Sequence, residues 1–154
     1  MHRRTRTVAV TLALLAATGT AAIHAEPHPK SASAALKVTV TGLHSQKGRL
    51  VACLWHDKQG FPSCEKSGSA ERLVLPVSGA TMEFAFPHVA PGEYAVTVHH
   101  DEDGNGKMKH NFIGMPVEGV GVSNNPGGMP GYSKSLIPVD GPGAITVKMR
   151  YLFG

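Results

Sequence analysis

Three oxygen-bearing side chains stand at alternate positions in one short stretch: Asp101, Asp103 and Asn105, followed by Gly106. Oxygen ligands at positions 1, 3 and 5 of a turn, with glycine at 6, let one segment converge on a hard cation such as calcium. The rest of the stretch departs from that pattern. Position 9 is Lys109, and position 12 is Phe112 where a bidentate glutamate belongs. Glu118 supplies the missing carboxylate only if the chain folds back. The competing chemistry is local. Asp and Asn side chains accept hydrogen bonds from backbone amides two residues on, which gives a self-capped turn without a metal. No cofactor is therefore required, and calcium at Asp101, Asp103, Asn105 and Glu118 is the candidate if one binds.

A second metal chemistry uses softer ligands. His99, His100, Met108, His110, Met115 and Met129 offer imidazole nitrogens and thioethers suited to copper. Strand alternation points His99 and His100 to opposite faces, so they cannot share one ion. His100 beside Asp101 also suggests a small hydrolase, but no nucleophile accompanies the pair. Ser63 and Lys66 match an S-x-x-K spacing in a loop, without the partner motifs of the enzymes that use it. No P-loop, G-x-S-x-G or H-E-x-x-H sequence occurs. The expectation is a non-enzymatic protein that binds an unknown protein or small molecule.

These residues need a scaffold, and the chain must first be trimmed to it. Residues 1–25 read as a signal peptide: Arg3, Arg4 and Arg6 precede an apolar run from Val8 to Ala17, and small residues lead to Ala25. That run is shorter than the about 20 apolar residues a membrane span needs. The chain carries a net charge of +4, and removing the three leader arginines lowers it to +1. Nucleic-acid binding loses its main support, since no basic stripe with interleaved aromatics remains. A periplasmic or secreted protein follows, with no membrane insertion after cleavage. Residues 26–35 read as a flexible arm and 36–154 as one domain.

Within that domain, strand signals dominate. Leu36, Val38 and Val40 alternate with Lys37, Thr39 and Thr41; Leu73, Leu75 and Val77 with Arg72 and Pro76; Met82, Phe84 and Phe86 with Glu83 and Ala85; Tyr94, Val96 and Val98 with Ala95, Thr97 and His99; and Ile145, Val147, Met149 and Tyr151 with Thr146, Lys148 and Arg150. Arg49 to Trp55 is apolar on both parities, as a central strand would be, and a weaker run covers Ser133 to Val139. About seven short strands separated by turns predict an all-β antiparallel sandwich. Gly92 before Tyr94 fits a tyrosine corner. Cys53 and Cys64, in an exported chain, predict one disulfide. Residues 101–131 break the spacing. They hold 8 of the 18 glycines and show no clear strand. Phe112, Ile113, Met115, Val117, Val120 and Val122 predict a packed loop, placed over one end of the sandwich, where a site is most expected.

Two ordered motifs carry a family resemblance. Pro91-Gly92-Glu93-Tyr94-Ala95-Val96 runs on through His100-Asp101 to Asn105-Gly106-Lys107, and Gly114-Met115-Pro116-Val117-Glu118 leads to Ser123-Asn124-Asn125. Together they resemble the domain of unknown function 2141 family of small exported bacterial proteins, over roughly residues 36–152. Lys109 stands where that family usually has Asp, which weakens the calcium reading, and Val122 replaces a typical Phe. The resemblance implies an immunoglobulin-like or prealbumin-like sandwich and no known activity. It adds Ser123, Asn124 and Asn125 to a polar network of His100, Asp101, Asp103, Asn105, Gly106 and Glu118 that orders the long loop. The function expected is that of a binding or structural accessory domain of the bacterial envelope.

Overall fold

The computed structural model describes residues 33–153. The expected leader, and the arm up to residue 32, lie outside the described residues. Eight strands follow: β1 (Ala34–Thr41), β2 (Arg49–Trp55), β3 (Glu71–Pro76), β4 (Thr81–Val89), β5 (Gly92–Asp101), β6 (Gly119–Val122), β7 (Ile137–Val139) and β8 (Gly143–Lys148). They form two sheets. One has the order β4-β1-β8; the other has β3-β2-β5-β6, with β7 also paired to β5.

The apolar parities predicted from the sequence meet between the sheets. Leu36, Val38, Val40, Phe86 and Val147 of the first sheet pack on Leu50, Ala52, Leu54, Val96 and Val98 of the second. Fully burying a side chain of this size contributes about 1.5–3 kcal/mol. β2 is buried on both faces, as its unbroken apolar run requires.

The antiparallel pattern has one exception, because β1 and β8 run parallel. The chain leaves β7 in the second sheet, turns at Asp140–Pro142 and enters the first sheet beside β1 at the end where β1 begins. β1 itself starts at Ala34, inside the span assigned to the arm. The run from Ser133 is not all strand: Tyr132–Ser135 make one helical turn, α1, before the three residues of β7. No tyrosine corner forms; the Tyr94 ring folds back over Gly92, and its hydroxyl makes no hydrogen bond among the described residues.

The eighth strand, β6, lies inside the supposed loop. Its inward positions are Gly119 and Gly121, which face His100 and Val98 of β5. A Cβ on Gly119 would fall 2.3 Å from the Tyr151 ring, and one on Gly121 would fall 2.6 Å from Val147. Glycine is needed there because the end of β8 crosses directly over β6. Arg150 then pairs with Val120 through two backbone hydrogen bonds, at 2.8 and 2.9 Å, and so ties the two sheets together.

Candidate functional site

The outer face of the second sheet is built from rungs of directly opposed residues, which share a side of the sheet. Trp55 opposes Ala95. The next rung runs Arg72, Cys53, Thr97, Val122, and the one after it Val74, Val51, His99, Val120, Arg150. The last pairs Arg49 with Asp101. Each rung has a different cover.

Trp55 is sealed by the segment that follows it. Phe61 meets its ring edge-on with centroids 5.3 Å apart, and Tyr132 meets Phe61 at 5.5 Å. The Trp55 indole donates to Thr97 Oγ1 at 2.8 Å. The disulfide predicted between Cys53 and Cys64 is present, with Cα atoms 6.2 Å apart, and it staples this cover to β2.

At the other end, the Arg49–Asp101 rung anchors the long loop. Asp101 is fully buried. Its carboxylate accepts from Arg49 Nε at 2.9 Å, from the Gly106 amide at 2.9 Å and from the Asn105 amide at 3.0 Å. Arg49 also donates to the Gly104 carbonyl. Asp103 accepts from the Asn105 amide at 3.1 Å, and Asn105 Oδ1 from the Lys107 amide at 2.7 Å. Burial pushes the Asp101 carboxyl up, but the hydrogen bonds from Arg49 and Gly106 and the guanidinium charge outweigh it, so it sits below the usual carboxylate range.

Glu118, also buried, makes a second anchor. It faces His99 Nε2 at 2.8 Å and accepts from the Lys109 amide at 3.0 Å. Asp101, Asp103 and Glu118 come within 4.8 Å of one another, the convergence the calcium reading expects. Both Asp101 oxygens and the Asn105 oxygen nevertheless already carry hydrogen bonds, and Arg49 brings the counter-charge a cation would supply.

His100 points the other way, into the core. A carbonyl only accepts, so its Nε2 donates to Lys47 O at 2.9 Å, while Nδ1 meets the Tyr151 hydroxyl at 2.7 Å. Tyr151 stacks on His44, with centroids 3.6 Å apart. Burial pushes the Tyr151 phenol up, a backbone hydrogen bond at His44 opposes this, and Glu102 adds to the rise. His100 and Asp101 therefore occupy opposite faces, and no hydrogen bond joins them as a catalytic pair.

Ser123, Asn124 and Asn125 act as a clip. The Val96 amide donates to Ser123 Oγ and the Ser123 amide to Val96 O, both at 2.9 Å. Ser123 Oγ in turn donates to the Ser135 carbonyl at 2.5 Å. The buried hydroxyl thus fills the ladder beside β5 between β6 and β7. Asn124 and Asn125 have φ of 61° and 45°, values Asn tolerates better than most residues. Asn125 donates to Thr146 O at 2.9 Å and accepts from the Lys148 amide at 2.7 Å, like a strand residue beside β8. Replacing Ser123 by Ala is expected to cost about 1–3 kcal/mol, because the Val96 amide loses its partner in a buried site. Urea denaturation checks this, and a cost below about 0.5 kcal/mol would mean the clip carries no weight.

With these anchors the loop does not sit over one end of the sandwich, as expected. It starts at that end and folds back over the outer face, because Glu118 and the Gly-Val strand β6 return it along β5. Between loop and sheet lies an open cleft of about 590 Å³. Val51, Thr97, His99, Val120 and Val122 form its floor. Met108, His110, Met115 and Pro116 contribute one wall, and Pro126, Met129 and Pro130 another. Five of the six candidate copper ligands therefore line one cleft, and His100 is the exception. Arg49, Tyr151 and the cleft cations Arg72, Lys148 and Arg150 are functional positions without a signal in the sequence. Each acts across a strand or sheet pairing that no local motif signals.

Fold and site define a class: an all-β two-sheet domain whose long inter-strand loop walls a cleft on one outer face. The chain belongs to the family described as uncharacterized protein conserved in bacteria (DUF2141), whose profile matches residues 38–147. The match spans β1 through β8 and includes both loop anchors and the clip. No curated protein matched the chain, and no solved structure did.

Proposed function

We propose that this chain is a non-enzymatic binding domain of the bacterial envelope and that the outer-face cleft is its ligand site. One observation carries the reading. The buried carboxylates of Asp101 and Glu118 hold a glycine-rich loop off an apolar floor, leaving a preformed cleft of about 590 Å³. That volume lies within the about 300–1,000 Å³ usual for small-molecule sites. Methionine walls suit such a role, since the flexible thioether side chain adapts to ligand shape. Export is part of the proposal, supported by the leader-like residues 1–25 and the Cys53–Cys64 disulfide. Among the described residues, no helix is long and apolar enough to cross a membrane.

The reading is tested by adding 1-octanol to the isotopically labelled domain and following backbone amide shifts. Val51, Thr97, His99, Val120 and Val122 are expected to move, while Val38 and Val147 between the sheets stay still. Val120→Trp, which fills the cleft from a half-buried position, is expected to remove the response and keep the melting temperature. Shifts confined to another surface, or none at all, would overturn the assignment.

A further inference from the structure

The charges around the cleft are one-sided. Arg72 ends one floor rung, Arg150 ends the next, and Lys148 stands beside Arg150 near the end of β8. All three side chains are exposed and line the cleft, and among the described residues none forms a salt bridge. His99 and His110 add imidazoles to the lining, and among the described residues Glu65 is its one carboxylate. Glu118, which is buried, is committed to His99 and the Lys109 amide. The floor between the cations is Val51, Thr97, Val120 and Val122, with Met108 and Met115 over it.

An apolar trough whose edge cations have no carboxylate partner complements a ligand with an apolar body and a negative head. We propose that the cleft binds a small amphipathic carboxylate. The alkyl or aryl body lies on the valine floor under the methionines, and the carboxylate reaches the guanidinium of Arg72 or Arg150 at one edge. A guanidinium presents two parallel donors to a carboxylate, which favours this anion over a diffuse negative charge. The inference rests on the reading of the cleft as a ligand site and adds its ligand class.

Three probes of equal chain length separate charge from apolar binding: octanoate, 1-octanol and octyltrimethylammonium, each titrated calorimetrically into the intact domain. Octanoate is expected to bind about tenfold tighter than either other probe, as expected for a few exposed ion pairs acting together. The preference shrinks as salt is raised. Decanoate gains about fourfold per added methylene over octanoate. In Arg72→Gln/Lys148→Gln/Arg150→Gln, octanoate falls to the level of octanol while octanol affinity holds. All three positions are exposed, and an unchanged melting temperature verifies the fold; Arg72→Gln/Lys148→Gln, which spares the Arg150 contact to Asn125, gives an intermediate loss. Equal binding of all three probes, abolished by Val120→Trp, would overturn the carboxylate inference and leave the cleft reading standing. Octanoate preference retained in the triple variant would overturn the assignment of these cations. Failure of every probe to bind would overturn both readings.

Discussion

Replacing Asp101 by Ala is expected to lower stability by about 2–4 kcal/mol, a fall of roughly 10 °C in melting temperature. The change removes the acceptor of three donors at once: Arg49 Nε and the amides of Asn105 and Gly106. Breaking a buried ion pair usually costs about 3–5 kcal/mol. Here the Arg49 side chain is 37% exposed, so water recovers part of the loss. Loss of Asp101 is also expected to release the loop and weaken ligand binding at the cleft, although Asp101 does not line it. Asp101→Asn tests the charge separately. The folded carboxyl lies below its ordinary value, so its stabilisation is complete above the unfolded carboxyl's range and fades as pH falls through the lowered folded value. Wild-type melting temperature should therefore drop on acidification below about pH 4, and the Asn variant should show a flatter acid limb. A parallel fall in both proteins would place the acid sensitivity elsewhere.

Gly48→Ala is the second large effect, expected at about 3–5 kcal/mol or as failure to fold. Gly48 has φ +70°, where a Cβ is disfavoured, and that Cβ would lie 2.1 Å from the Asp101 carbonyl oxygen and 2.6 Å from Glu102 Cα. These are backbone atoms and cannot rotate away. Relief requires parting the chain before β2 from the end of β5, next to the rung where Arg49 holds Asp101 and close to the Lys47 carbonyl that holds His100. Gly104 is the control. It has φ +72° but nothing within 4 Å of its hypothetical Cβ, so Gly104→Ala should cost only the backbone term, about 1–2 kcal/mol. Urea denaturation of both variants separates the two contributions. Equal costs would mean the close approach at Gly48 is relieved without parting the strands.

The sheets were legible in the sequence where apolar and polar residues alternate along a strand. Leu36, Val38 and Val40, or Val96 and Val98 beside Thr97 and His99, show the two-residue period because the pleat imposes it. The same period placed His99 and His100 on opposite faces. β6 was invisible because its inward residues are Gly119 and Gly121: the space an apolar side chain would fill is taken by Tyr151 and Val147. The polar turn at Asp101 to Lys107 was legible, since Asx turns are local. Its principal partner was not, because Arg49 lies 52 residues away and meets Asp101 only across a strand pair. The cleft was hidden for a related reason. Thr97 and His99 look like solvent-facing strand positions, and only the return of the loop through Glu118 turns that face into a floor.

This loop is fixed by its own hydrogen bonds, with Arg49 supplying the positive charge, and so holds the cleft open. Amide hydrogen exchange at Asn105, Gly106 and Lys109, in chelator and then with added calcium, tests that claim most directly. The expected result is slow exchange of all three amides in chelator, unchanged by calcium and lost in Asp101→Ala. Exchange as fast as in an unstructured peptide, becoming slow only when calcium is added, would contradict it.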